Sequence, residues 1–76
     1  MRDWLVQARI QKSLTQKQVA EMSNVSQPTY WNIEQGKKNP TVATAKKIAT
    51  VLDIPWVRFY ESEGESYAND ARSRVL

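Results

Sequence analysis

The stretch Leu14-Thr15-Gln16-Lys17-Gln18-Val19-Ala20-Glu21-Met22-Ser23-Asn24-Val25-Ser26-Gln27-Pro28-Thr29-Tyr30-Trp31-Asn32-Ile33-Glu34-Gln35-Gly36 decides how this 76-residue chain folds. Thr15 and Gln18 stand at capping-box spacing, in which the threonine hydroxyl accepts from the Gln18 amide and Gln18 reaches back. Leu14 before the cap and Val19 at the fourth helical position form a hydrophobic staple. These signals start a helix over residues 16–23. Ser26 caps the next helix, residues 27–35. Pro28 is tolerated there because the first N–H groups of a helix lack partners anyway. Gly36 is the natural left-handed terminator, and Asn39-Pro40 blocks continuation. Two helices joined by only about three residues cannot lie antiparallel; they cross steeply, as in a helix-turn-helix.

Outward from this pair the periodicity stays helical. Met1, Trp4, Leu5 and Ala8 repeat at i, i+3, i+4, i+7 and predict a first helix over residues 2–12. Val42, Ala45, Ile48, Ala49 and Leu52 predict a fourth helix over 42–52. A short fifth helix over 56–61 would bury Trp56, Phe59 and Tyr60. No strand-like alternation and no internal repeat interrupts the series. The fold class expected is all-α: one five-helix domain over residues 1–61. Residues 62–76 form a polar tail, either disordered or a weak extra helix, with Val75 and Leu76 as a late apolar pair.

Composition removes most alternatives. At this length the chain holds one core. With no cysteine and no histidine, disulfides, thiolate chemistry, the usual zinc sites and histidine-based triads are excluded, so no enzyme, metal or cofactor is expected. No apolar run approaches the roughly 18 residues of a membrane span, and no signal-peptide pattern opens the chain, so a cytoplasmic protein is expected. The net charge of +3 is unevenly placed. Residues 1–60 carry nine basic side chains against four acids, whereas residues 61–76 carry two against four. A basic body suits a polyanion partner, although a solvated lysine surface gives the same count.

The quoted stretch, together with Asn39-Pro40-Thr41, Ala45-Lys46-Lys47-Ile48-Ala49-Thr50-Val51-Leu52 and the aromatic end Trp56 through Glu61, resembles the Cro and phage-repressor (XRE-like) type of helix-turn-helix protein. The resemblance covers residues 3–61 and implies a lambda-repressor-like domain. Ala20 then falls where the second and third helices cross, and Val19, Val25, Tyr30 and Ile33 share the buried face. Arg9 and Glu34 match a family pair that bonds across the first and third helices; the alternative is an exposed ion pair worth about 0–1 kcal/mol.

By the same resemblance the third helix is the recognition helix and enters the major groove of double-stranded DNA. Gln27, Pro28, Thr29, Trp31 and Asn32 are the candidate base-reading residues. Gln and Asn can pair with adenine N6/N7, and Thr offers a methyl to thymine. No arginine lies on this helix, so the commonest guanine contact is missing and the readout leans to A·T. Trp31 departs from the small polar residue often found there. It packs on a thymine methyl or sugar edge, covers the domain's own surface, or serves a protein interface. Gln16, Lys17, Gln35, Lys37 and Lys38 are the candidate phosphate contacts, with helix-start amides adding to the clamp. Ser13, Asn24 and Asp53 stand where the family usually has glycine, and Pro55 replaces the usual cap of the fifth helix.

The function expected is a sequence-specific transcriptional regulator, a repressor, acting at the nucleoid without a small-molecule substrate. One such module covers few base pairs, so a homodimer on an inverted repeat is expected, with Val57 left exposed for the partner. The rival is a protein-interaction module on the same scaffold, antirepressor- or antitoxin-like, working through Trp31 and the aromatic end.

Overall fold

A computed structural model describes residues 1–61; the expectations for the tail, 62–76, lie outside these residues. The elements are α1 (Asp3–Gln11), α2 (Gln16–Met22), α3 (Gln27–Glu34) and α4 (Val42–Leu52), then a 3₁₀ turn (Trp56–Tyr60). No strand occurs among the described residues. The start signals operate as the spacing predicts. The Gln18 amide donates to Thr15 Oγ1 at 3.0 Å, and the Thr15 amide donates to Gln18 Oε1 at 2.8 Å. Ser26 accepts from the Thr29 amide at 3.2 Å, and Thr41 caps α4 in the same way through the Thr44 amide.

All four helices stop by one device. A left-handed residue follows the last turn, and the next N–H reaches a carbonyl five residues back, satisfying an orphan acceptor. The left-handed residues are Ser13 (φ 58°), Asn24 (φ 59°), Gly36 (φ 78°) and Asp53 (φ 58°). The closing bonds run from Leu14 to Arg9, Val25 to Ala20, Lys37 to Asn32 and Ile54 to Ala49. Three of the four turns keep this shape without glycine.

Leu5, Val19, Ala20, Tyr30, Ile33, Ala45, Ile48, Leu52 and Phe59 form one buried cluster to which every helix contributes. Trp4, Ala8, Leu14, Val25 and Trp56 pack on its rim, with Trp4 edge-on to Phe59 at 5.0 Å. Each large apolar side chain so buried contributes about 1.5–3 kcal/mol, and in a domain this small few can be spared.

Three expectations need correction. The fifth helix is not an α-helix: Arg58 bonds back to Pro55 and Glu61 to Arg58, the three-residue closure of a 3₁₀ turn. Pro55 precedes it with extended backbone and supplies no side-chain cap, so nothing draws five residues into an α-turn. Tyr60 is not buried but 46% exposed; its hydroxyl donates to the Pro40 carbonyl at 2.7 Å while the ring stays in reach of water. Met1 and Val42, at the outer ends of their stripes, are exposed rather than part of the core. Val57 points outward, as the crowding of apolar groups on so short an element requires. Among the described residues no helix is long and apolar enough to cross a membrane.

Candidate nucleic-acid interface

The candidate surface is held from beneath by one carboxylate. Glu34, buried in the last turn of α3, accepts at Oε2 from Arg9 Nε at 2.6 Å and from the Tyr30 hydroxyl at 2.7 Å. Its other oxygen accepts from Gln16 Nε2 at 2.9 Å. Arg9 also donates to the Leu14 carbonyl at 3.0 Å. One side chain thus joins α1, α2 and α3. Burial alone would raise the Glu34 pKa, but the bonds from Arg9, Gln16 and Tyr30 outweigh it and hold the carboxyl below its ordinary value. Tyr30 moves the other way, raised first by burial and then by the neighbouring carboxylate.

With Tyr30, Ile33 and Glu34 turned inward, the opposite side of α3 faces out. Gln27, Trp31 and Gln35 follow one another at intervals of four, on one stripe of the helix, with Pro28 and Asn32 on the stripe beside it. Gln27 and Pro28 are exposed, Asn32 is half-buried and Trp31 is 40% exposed. Gln16, Gln27, Pro28 and Trp31 line a shallow depression where the starts of α2 and α3 meet. Lys37 and Lys38, exposed beyond Gly36, flank the far end. The Lys37 ammonium lies 5.0 Å from the Trp31 ring centre, a cation–π contact that fixes the indole on this face. Lys17 is exposed in the first turn of α2.

Two candidates are less free than the rest. Thr29 is half-buried, and its hydroxyl oxygen accepts from Ser26 Oγ at 2.7 Å, so it works within the helix cap. Gln35 turns its amide toward the Met1 sulfur at 3.6 Å, away from the Gln27 end. Gln16 is engaged by Glu34, which leaves its second N–H and its carbonyl for other partners.

The exposed charge along α3 and its loop is one-signed. Along α3 and the loop that follows it, residues 27–40, the one carboxylate is Glu34, and it is buried, whereas Lys37 and Lys38 are exposed. This segment therefore presents no negative side chain of its own to a polyanion.

Sequence reasoning missed two contributors. In the sequence Tyr30 reads only as part of the apolar face, although its spacing of four from Glu34 is signal enough for the hydrogen bond. Arg2 carried no signal. The sequence sets it in the first turn of the first helix, yet it precedes α1 and is buried against the carbonyl end of α3.

The sequence has relatives among known proteins. The sequence profile of the family described as Helix-turn-helix matches residues 5–59. The uncharacterized HTH-type transcriptional regulator YqaF of Bacillus subtilis is 38% identical over 61 residues, 80% of this chain and 80% of that protein. The HTH-type transcriptional regulator SutR of Escherichia coli is 40% identical over 55 residues, 72% of this chain but 31% of SutR. The uncharacterized HTH-type transcriptional regulator y4dJ of Sinorhizobium fredii is 34% identical over 58 residues, 76% of this chain and 75% of that protein.

Proposed function

The chain belongs to the helix-turn-helix family, and from that premise we propose that it is a sequence-specific DNA-binding regulator of transcription. The observation that carries this reading is the outward side of α3 and its loop: polar Gln27 and Asn32, lysines at the far end, and the one carboxylate of that segment, Glu34, buried. In this reading α3 enters the major groove. Gln27 and Asn32 pair with base edges, and Pro28 and Trp31 offer apolar contact to thymine methyls. Lys17, Lys37, Lys38 and the remaining N–H of Gln16 meet phosphates. Thr29 and Gln35 contribute less, because the cap and Met1 engage them.

The protein acts in the cytoplasm as a repressor that occupies a promoter, and it does so as a homodimer on an inverted repeat. Val57 and Tyr60, each 46% exposed beside one another on the 3₁₀ turn, supply the apolar contact between copies. The rival reading, a protein-interaction module, draws on the same exposed Trp31. The tryptophan's contact with Lys37, however, sets a cation beside it, which favours a polyanion.

Selection of bound sequences from a random DNA pool, followed by sedimentation with the selected duplex, tests these points together. An enriched inverted repeat holding two chains supports them. One chain on an asymmetric site removes the dimer, and no enrichment at any salt concentration removes DNA reading. A reporter whose output rises when the enriched site overlaps the promoter removes repression.

A further inference from the structure

The loop that carries Lys37 and Lys38 is held from outside the helix-turn-helix by one side chain. Arg2 donates through Nη1 to the carbonyls of Ile33 and Lys38, the latter at 3.1 Å, and through Nη2 to Asn39 Oδ1. Its backbone N–H donates to the Glu34 carbonyl at 2.7 Å. Arg2 is 8% exposed, and its guanidinium carbon lies 5.9 Å from the Phe59 ring centre. The carbonyl end of a helix carries partial negative charge and unsatisfied acceptors, so a buried cation is favoured there. On the inner side the Lys37 and Lys38 amides both bond to the Asn32 carbonyl, at 3.0 and 3.3 Å. The loop is thus gripped between Asn32 and Arg2.

We infer that Arg2 is a positioning residue for the lysine loop, fixing the backbone of residues 36–39 so that Lys38 meets the DNA phosphates in a set place. The inference rests on the DNA-binding reading above. Only a planar fork with several donors spans acceptors on both sides of the loop; a lysine ammonium is a single point of charge and cannot. Arg2 itself does not touch the DNA, so its effect passes through Lys38 and carries no sequence preference.

Arg2→Lys in the full chain, with Asn39→Ala as a second variant that removes one acceptor alone, tests this. The probes are the selected duplex and a random-sequence duplex of equal length. For each variant that melts cooperatively above the assay temperature, binding weakens roughly tenfold on both duplexes in moderate salt, and the slope of log K against log salt falls by about one. A role in stability alone lowers the melting temperature and leaves that slope unchanged. Adding Lys38→Ala to either variant costs less than Lys38→Ala costs in the wild type, because the contact is already lost. In the free protein, amide hydrogen exchange at Lys37 and Lys38 quickens relative to α4. Additive losses, an unchanged slope or unchanged loop exchange in a folded variant overturns the inference while wild-type binding stands. A wild-type chain that binds neither duplex overturns the DNA-binding reading itself, and this inference with it.

Discussion

Arg9 Nε stands 2.6 Å from Glu34 Oε2, and the carboxylate that receives it is only 1% exposed. The carboxylate is inside the protein and cannot exchange its partners for water, whereas the Arg9 side chain, 15% exposed, can do so only in part. Glu34→Ala leaves the Arg9 charge, the Tyr30 hydroxyl and the Gln16 amide short of an acceptor, and should cost about 3–5 kcal/mol in chemical denaturation. Glu34→Gln keeps the shape and part of the bonding and should cost less. A loss below about 1 kcal/mol for Glu34→Ala would mean that the pair behaves as a surface contact.

The same cluster sets the pH dependence. Glu34 has its folded pKa below the ordinary 4.5, so the folded state holds its proton less tightly than the unfolded chain does. The stability this supplies is fully present above that ordinary value and is lost as pH falls toward the folded pKa. Tyr30 is raised above its ordinary 10.0, so its contribution is present below pH 10 and drains away at more alkaline pH. Melting temperatures across pH should therefore be flat near neutrality, with an acid fall weakened in Glu34→Gln and an alkaline fall weakened in Tyr30→Phe. Identical acid limbs for wild type and Glu34→Gln would remove Glu34 as their source.

Ser13 and Asp53 hold left-handed conformations that a side chain resists by about 1–2 kcal/mol, partly offset by the roughly 0.5–1 kcal/mol of extra chain entropy that glycine loses on folding. Ser13→Gly should therefore stabilise by a few tenths to about 1 kcal/mol. Asp53→Gly should gain less than Ser13→Gly, because aspartate bears this conformation better than serine, and the Asp53–Lys12 contact at 3.9 Å between exposed groups is worth little. Asn24→Gly should gain least, because asparagine tolerates this conformation. A loss of stability in Ser13→Gly, read from the denaturation midpoint at constant slope, would contradict the strain.

What the sequence made legible was what short spacing encodes. Thr15 with Gln18, Ser26 with Thr29, and Gly36 before Asn39-Pro40 act over a few residues, so the helix-turn-helix boundaries could be read directly. Arg2 could not be read, because the carbonyls and amide it binds lie 31 or more residues downstream and only the folded chain brings them near. A fifth helix is expected where a 3₁₀ turn forms, because apolar spacing says which residues turn inward but not how tightly the backbone winds. Nor does spacing show Lys37 beside Trp31, since the ammonium reaches the ring only in the folded chain.

Reading and holding separate on different probes. Gln27→Ala and Asn32→Ala remove side chains on the outward face of α3 whose amides can bond a base edge in pairs, so each should cost about 1–3 kcal/mol on the selected site. On random duplex no matched base stands opposite them, and the cost should be far smaller. Lys37→Ala with Lys38→Ala removes two exposed charges, so binding should weaken on both duplexes, with the salt slope falling by up to about two and only a small extra loss on the selected site from the Trp31 that Lys37 holds. Trp31→Ala distinguishes the two modes further. It releases Lys37 from a contact worth about 0.5–2 kcal/mol and takes away apolar area beside Pro28, so both the salt slope and the preference for thymine should fall. Equal losses from Gln27→Ala and Asn32→Ala on selected and random duplex would take base reading away from α3 and leave it a holding surface only.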